Sequence, residues 1–198
     1  MTEGRVRNLF LCVAALVFGA FAPSLARTQT VAVHRAGLPL STGWRLQSSC
    51  QISATGAQIS VPGFHTAGWH STIVPSTVVA ALVADGTYPD PDFGMNLRKI
   101  PGTTYPIGAN FANLPMPKDS PFACSWWYRK EFTIPRNFAG RTAWLHFDGI
   151  NYRANIWING KQFADAKDVA GAYRIYDFDV TQFVKPGEIG RASCWARV

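Results

Sequence analysis

Side chains able to do chemistry are sparse in this 198-residue chain, and most of them carry a plainer reading beside the sharp one. Asp85, Asp90 and Asp92 gather carboxylates of the kind that hard cations favour. Gly86, Pro89 and Pro91 lie between them and match no ligand-spacing template, so turn chemistry is the expectation and no metal site is predicted. His65 and His70 flank Trp69, but a zinc site needs more ligands at suitable spacing, and both are read as structural or solvated. Ser41-Thr42 and Ser76-Thr77 have no histidine and acid placed to form a nucleophilic triad. Trp69, Trp126, Trp127 and Trp157 could stack on sugar rings, yet tryptophans at strand positions mostly pack into cores. At most one of the four is expected to touch a ligand.

Charge and composition narrow the classes further. The apolar fraction of 47% and charged fraction of 16% are those of a chain that folds around a core. MTEGRVRNLFLCVAALVFGAFAPSLA, residues 1–26, has the basic start, apolar run and small-residue end of a secretory signal. The apolar run from Leu9 to Ala22 is too short to span a bilayer comfortably, so cleavage is favoured over a retained membrane anchor. Export implies a secreted or periplasmic protein with no membrane attachment after cleavage. Without these residues the formal charge falls from +7 to +6, 17 basic against 11 acidic. That excess is scattered rather than gathered in a stripe, which argues against nucleic acid as a partner. Cys12 leaves with the signal, and Cys50 and Cys124 become a possible disulfide in an oxidising compartment, with Cys194 left over.

The elements follow from periodicity. Residues 27–40 form a linker onto a domain expected over 41–188. A strand-like run covers Trp44–Ile52, and PSTVVAALVADG, 75–86, has the start and stop signals of one short helix. Residues 87–120, rich in Pro, Gly, Asn and Asp, form a long irregular loop of the kind that often binds ligands. Strands are expected over 126–134, over 142–148 with Trp144 and His146 on the face opposite Leu145 and Phe147, over 153–158, and over 173–180. Asn159-Gly160 predicts a type I′ turn, since both residues tolerate positive φ. Short strands, frequent turns and little helix give an all-β protein, an antiparallel β-sandwich.

Four stretches in order carry a resemblance. WHSTIVPSTVVAALVADGTYPDPDFGMN, WWYRKEFTIP, FDGINYRANIWINGK and YDFDVTQFVKPGE together resemble the N-terminal sugar-binding domain of glycoside hydrolase family 2, closest to the exo-β-glucosaminidase and β-mannosidase branch, over about residues 40–188. The resemblance implies a galactose-binding-like jelly roll and, in a complete enzyme, retaining hydrolysis of a terminal β-glycosidic bond without a cofactor. It also implies that Asn96, in DPDFGMN, is brought toward the sugar as a carbohydrate-binding residue, a role an amide suits because it both donates and accepts; a turn asparagine satisfying its own backbone is the alternative.

Retaining glycosidases need two carboxyl groups about 5 Å apart. The family carries them in a barrel after the sandwich, and Glu3, Glu131 and Glu188 resemble neither member of that pair, so no catalytic residue is expected in this chain. The segment 189–198, IGRASCWARV, lacks an alternating apolar face and is expected to be an atypical tail produced by truncation or frameshift, leaving the sandwich short of a core strand. The chain is therefore read as a non-catalytic carbohydrate-binding and scaffold domain whose partner is a β-linked glycoside. A free-standing carbohydrate-binding module and a non-functional gene fragment are the alternatives.

Overall fold

The computed structural model describes residues 37–102 and 117–197. The expected signal at 1–26, residues 27–36 of the linker and residues 103–116 of the long loop lie outside the described residues.

Strands β1 (Trp44–Ser48), β2 (His70–Thr72), β3 (Trp126–Thr133), β4 (Trp144–Phe147), β5 (Arg153–Ile158), β6 (Lys161–Ala164), β7 (Tyr176–Asp179) and β8 (Ile189–Arg197) build two sheets. Six of them form one sheet in the order β2-β1-β3-β8-β5-β6, while β4 and β7 pair separately, and every pairing is antiparallel. Alternation decides which side of the large sheet is apolar. Register aligns Leu46 with Tyr128, Tyr128 with Cys194, and Cys194 with Ile156, a row of side chains across four strands. That row faces the second layer. Over β5 and β8 the layer is the β4–β7 pair, whose Phe147, Tyr176 and Phe178 pack on Ile156 and Cys194. Over β1 and β3 it is helix α2 (Val78–Ala84), whose Val78, Ala81 and Leu82 pack on Leu46 and Trp126. The antiparallel β-sandwich is thus present, with a helix completing one of its layers.

Residues 49–69 cross the opposite face. There Ile59, Trp69 and Trp127 form a separate cluster, capped by Phe64 and Trp157. One-turn helix α1 (Gly56–Ile59) starts in this segment on a capping box: Thr55 Oγ1 accepts from Gln58 N–H, and Gln58 Oε1 accepts from Thr55 N–H at 2.8 Å.

Three expectations need correction. The first strand ends at Ser48 rather than Ile52, because the Ser48 hydroxyl accepts from Cys50 N–H and turns the chain into a 3₁₀ turn over Ser49–Gln51. The strand expected from 173 starts at Tyr176, since Tyr173 adopts φ 62 and breaks the extended run. The largest correction concerns the tail. Residues 189–197 are not a remnant lying outside a depleted sheet: they form β8, hydrogen-bonded to β3 on one side and β5 on the other. No apolar alternation was visible because the inward residues are small. Gly190, Ala192 and Cys194 leave space that larger neighbours fill, and a Cβ on Gly190 would lie 2.6 Å from the Phe132 ring. Among the described residues the strands at the edges of the large sheet are β2 and β6.

Candidate functional site

The loop after α2 is assembled by short-range hydrogen bonds. Thr87 N–H and hydroxyl both donate to Asp85 Oδ1, and Asp90 Oδ1 accepts from Asp92 N–H at 2.9 Å, an Asx turn. Asp85 also takes His70 Nδ1 at 2.7 Å. Burial, the largest single influence on the Asp85 carboxyl, pushes it up, but the bonds from Thr87 and His70 outweigh that and hold it below the usual carboxylate range. Asp85 and Asp90 thus serve as turn and cap residues, and among the described residues no three metal-ligating side chains converge. His65 is exposed, away from the His70 pair.

Beyond the Asx turn the loop projects. Phe93 is 77% exposed and Met95 64% exposed, and Gly94 between them takes φ 56. Asn96 returns the chain toward the body: its N–H donates to Phe93 O at 3.1 Å and it opens the 3₁₀ turn Asn96–Lys99, while Ile100 buries into the cluster under α2. Among the described residues no hydrogen bond engages the Asn96 side chain, which leaves an amide at the base of an apolar tip, able to donate to and accept from a ligand hydroxyl.

The four tryptophans singled out by sequence are architectural. Trp69, Trp126 and Trp127 are buried, and Trp157 is half-buried with its ring 5.3 Å from that of Trp127. Among the residues whose side chains are described, the exposed tryptophan is Trp144, whose outward position the alternation of 142–148 had given but whose role it had not.

Glutamates are equally committed. Glu131 Oε1 accepts from Arg129 at 2.8 Å and from Arg191 at 3.1 Å, and these guanidinium bonds, Arg129 first, hold its carboxyl below the ordinary range. Arg129 is buried and donates Nε to Ile59 O at 2.8 Å, which latches the 49–69 segment onto β3. Glu188 lies 3.8 Å from Lys185 in an exposed turn. Among the described residues these two glutamates sit in separate ion pairs rather than in one acid/base site.

Cys50 and Cys124 form a disulfide with Cα atoms 6.0 Å apart, joining the turn after β1 to the segment before β3. Cys194 is free and buried between the layers, and burial pushes its thiol up to about 12, which removes thiolate chemistry at neutral pH.

Comparison with known proteins accounts for this arrangement. Residues 119–191 match the family model described as glycosyl hydrolase 2 galactose-binding domain-like. An exo-beta-D-glucosaminidase of Streptomyces avermitilis is 35% identical over 161 residues, which are 81% of this chain and 16% of that enzyme. The crystal structure of the Amycolatopsis orientalis exo-chitosanase CsxA superposes with a TM-score of 0.65 at 29% identity, covering 81% of this chain and 16% of that one. A second structure of that enzyme, in complex with PNP-beta-D-glucosamine, gives a TM-score of 0.63 at 30% identity, over 78% of this chain and 16% of that one. The chain thus spans about one sixth of the length of these relatives. Sandwich, sequence and family model agree that the chain carries the galactose-binding-like N-terminal domain of glycoside hydrolase family 2.

Proposed function

We propose that this chain is the non-catalytic carbohydrate-binding and scaffold domain of a secreted family 2 glycosidase acting on terminal β-glycosidic bonds, most like the exo-β-glucosaminidases. The observation that carries the reading is the 35% identity over 161 residues to an enzyme of that activity, in a chain whose described glutamates are locked in ion pairs. A retaining mechanism needs two carboxyl groups about 5 Å apart, one as acid/base and one as nucleophile, and these belong to a separate catalytic domain. The sandwich presents its 89–100 loop to that domain, with Asn96 reaching the sugar hydroxyls and Phe93 and Met95 as the apolar contact around it. Export through residues 1–26 supports the pairing of Cys50 with Cys124.

The test is complementation. A family 2 exo-β-glucosaminidase stripped of its own N-terminal domain is mixed with this chain, and hydrolysis of PNP-β-D-glucosamine is followed. Neither component alone turns over substrate, the mixture does, and Asn96→Ala lowers kcat/KM of the mixture about tenfold, a loss of roughly 1.4 kcal/mol in transition-state binding. A folded chain that restores nothing overturns the reading.

A second reading, a carbohydrate-binding module acting alone, is favoured by one specific feature: the exposed Trp144 on the outer face of the β4–β7 pair.

A further inference from the structure

The β4–β7 pair buries Leu145, Phe147, Tyr176 and Phe178 inward and turns Trp144, His146, Asp177 and Asp179 outward. Register places Trp144 directly opposite Asp179 and His146 directly opposite Asp177, so neighbouring Cβ atoms lie about 5 Å apart. Trp144 is 61% exposed, unlike Trp69, Trp126 and Trp127, which the core absorbs. Its indole is a wide, mostly exposed apolar face, and beside it on the same side of the pair lie Asp179, Asp177 and His146. From Trp144 to Asp148 and from Tyr176 to Asp179 there are three aspartates and no lysine or arginine, in a chain whose net charge is +7.

Those aspartates are fixed yet not used up. Asp177 Oδ1 meets His146 Nδ1 at 2.7 Å, and Asp148 Oδ1 meets His146 Nε2 at 3.2 Å. Asp179 Oδ1 accepts from the Thr181 hydroxyl at 2.6 Å and from Thr181 N–H at 3.0 Å. In each case Oδ1 carries the bonds that orient the carboxylate, and among the described residues Oδ2 has no hydrogen-bond partner. The face therefore presents an aromatic platform bordered by oriented carboxylate oxygens within one or two residues' reach. An aromatic face suits the C–H side of a sugar ring, and free carboxylate oxygens suit an ammonium group held at its rim. A neutral glycan uses the first feature only.

We infer that the outer face of the β4–β7 pair is a binding surface for a β-linked amino-sugar chain, with Trp144 stacking on one ring and Asp177 and Asp179 receiving the protonated amines. The inference rests on the proposed function for the class of glycan and places it on a different surface from the Asn96 loop. Charge complementarity selects the occupant: a polycationic glycan meets an acidic patch on an otherwise basic protein, while a neutral or anionic chain gains nothing from the aspartates.

The test uses the full chain and calorimetry in mildly acidic buffer, with a β-1,4-linked glucosamine hexamer and its fully N-acetylated counterpart. The amino hexamer binds at least tenfold more tightly than the acetylated one, and its affinity falls with added salt. Trp144→Ala weakens the amino hexamer at least tenfold, Trp144→Phe retains most of the affinity, and Asp177→Asn with Asp179→Asn abolishes the preference for the amino form. Thermal melts establish that each variant is folded, and should the double variant fail to fold, Asp179→Asn alone must still halve the preference. Wild-type affinity in Trp144→Ala, or equal binding of the two hexamers, overturns this surface and leaves the proposed function to the complementation assay. Binding of neither hexamer overturns it as well, and restored hydrolysis in that assay then shows that the glycosidase reading survives without it.

Discussion

Single residues show how much an individual side chain in this domain is asked to hold. His146 bridges Asp177 and Asp148, and its bond to Asp177, then that to Asp148, raises its pKa above the ordinary 6.5. A histidine protonated more readily in the folded chain than in the unfolded one stabilises the fold fully below 6.5, and that contribution is lost as pH rises through the raised value. NMR titration of the imidazole should return a value above 6.5, and the melting temperature of the wild type should fall toward that of His146→Gln as pH climbs through it. An unshifted imidazole contradicts this. Glu131 works in the other direction: Glu131→Gln removes the counter-charge of buried Arg129, which keeps its carbonyl bond to Ile59, so a loss of about 1–2 kcal/mol in a denaturant melt is expected. Sequence disclosed some of this. Asn159-Gly160 announced its turn, and the chain turns there with φ 49 and φ 84. It did not disclose that Asn159 also reaches out of the hairpin, donating Nδ2 to Phe183 O at 2.8 Å and accepting from Arg191 N–H at 2.9 Å, because those partners are remote in the chain. The bond from Arg191 to Glu131 was hidden for the same reason.

At the scale of elements, legibility followed pattern strength. β3, β4, β5 and α2 were readable because alternation or capping marks them within a few residues. α1 was missed: one turn of helix has no periodicity to read, and only the Thr55/Gln58 box could have signalled it. β8 was misread because its inward positions are Gly, Ala and Cys, residues chosen by the bulk of Phe132 and Tyr128 on neighbouring strands rather than by a local pattern. The same complementarity fixes α1. A Cβ on Gly56 would lie 2.3 Å from the Trp157 ring, so Gly56→Ala forces the helix off the sheet and should cost about 1–3 kcal/mol, whereas Gly63→Ala, with open space around it, spares that collision and pays only for its φ of 77. Equal losses from the two substitutions in chemical denaturation would argue against the contact. The Cys50–Cys124 bond closes a span of 74 residues, and removing it with Cys50→Ser and Cys124→Ser should lower stability by about 3–4 kcal/mol, read as the gap between unreduced and double-serine chains. No gap would mean that the clusters flanking the bridge hold the 49–69 segment without it.

For the molecule as a whole, the fold class was legible from the recurrence of short strands, and the family from four stretches in the right order. The arrangement of the second layer was not, since half of it is a helix and half a strand pair, and no local signal says which face of the sheet each will cover. What results is a sheet buried on both faces, an apolar loop tip with Asn96 at its base, and an acidic aromatic face on the β4–β7 pair. The central claim is that the domain handles a β-glycoside and leaves it intact, and it is tested by incubating the purified full chain at high concentration with the glucosamine hexamer and following the glycan by mass spectrometry. The hexamer is predicted to remain uncut over days unless the separate catalytic domain is added, whereupon terminal glucosamine is released. Release by the chain alone, surviving repurification and abolished by Glu131→Gln or Glu188→Gln in a folded protein, would contradict it.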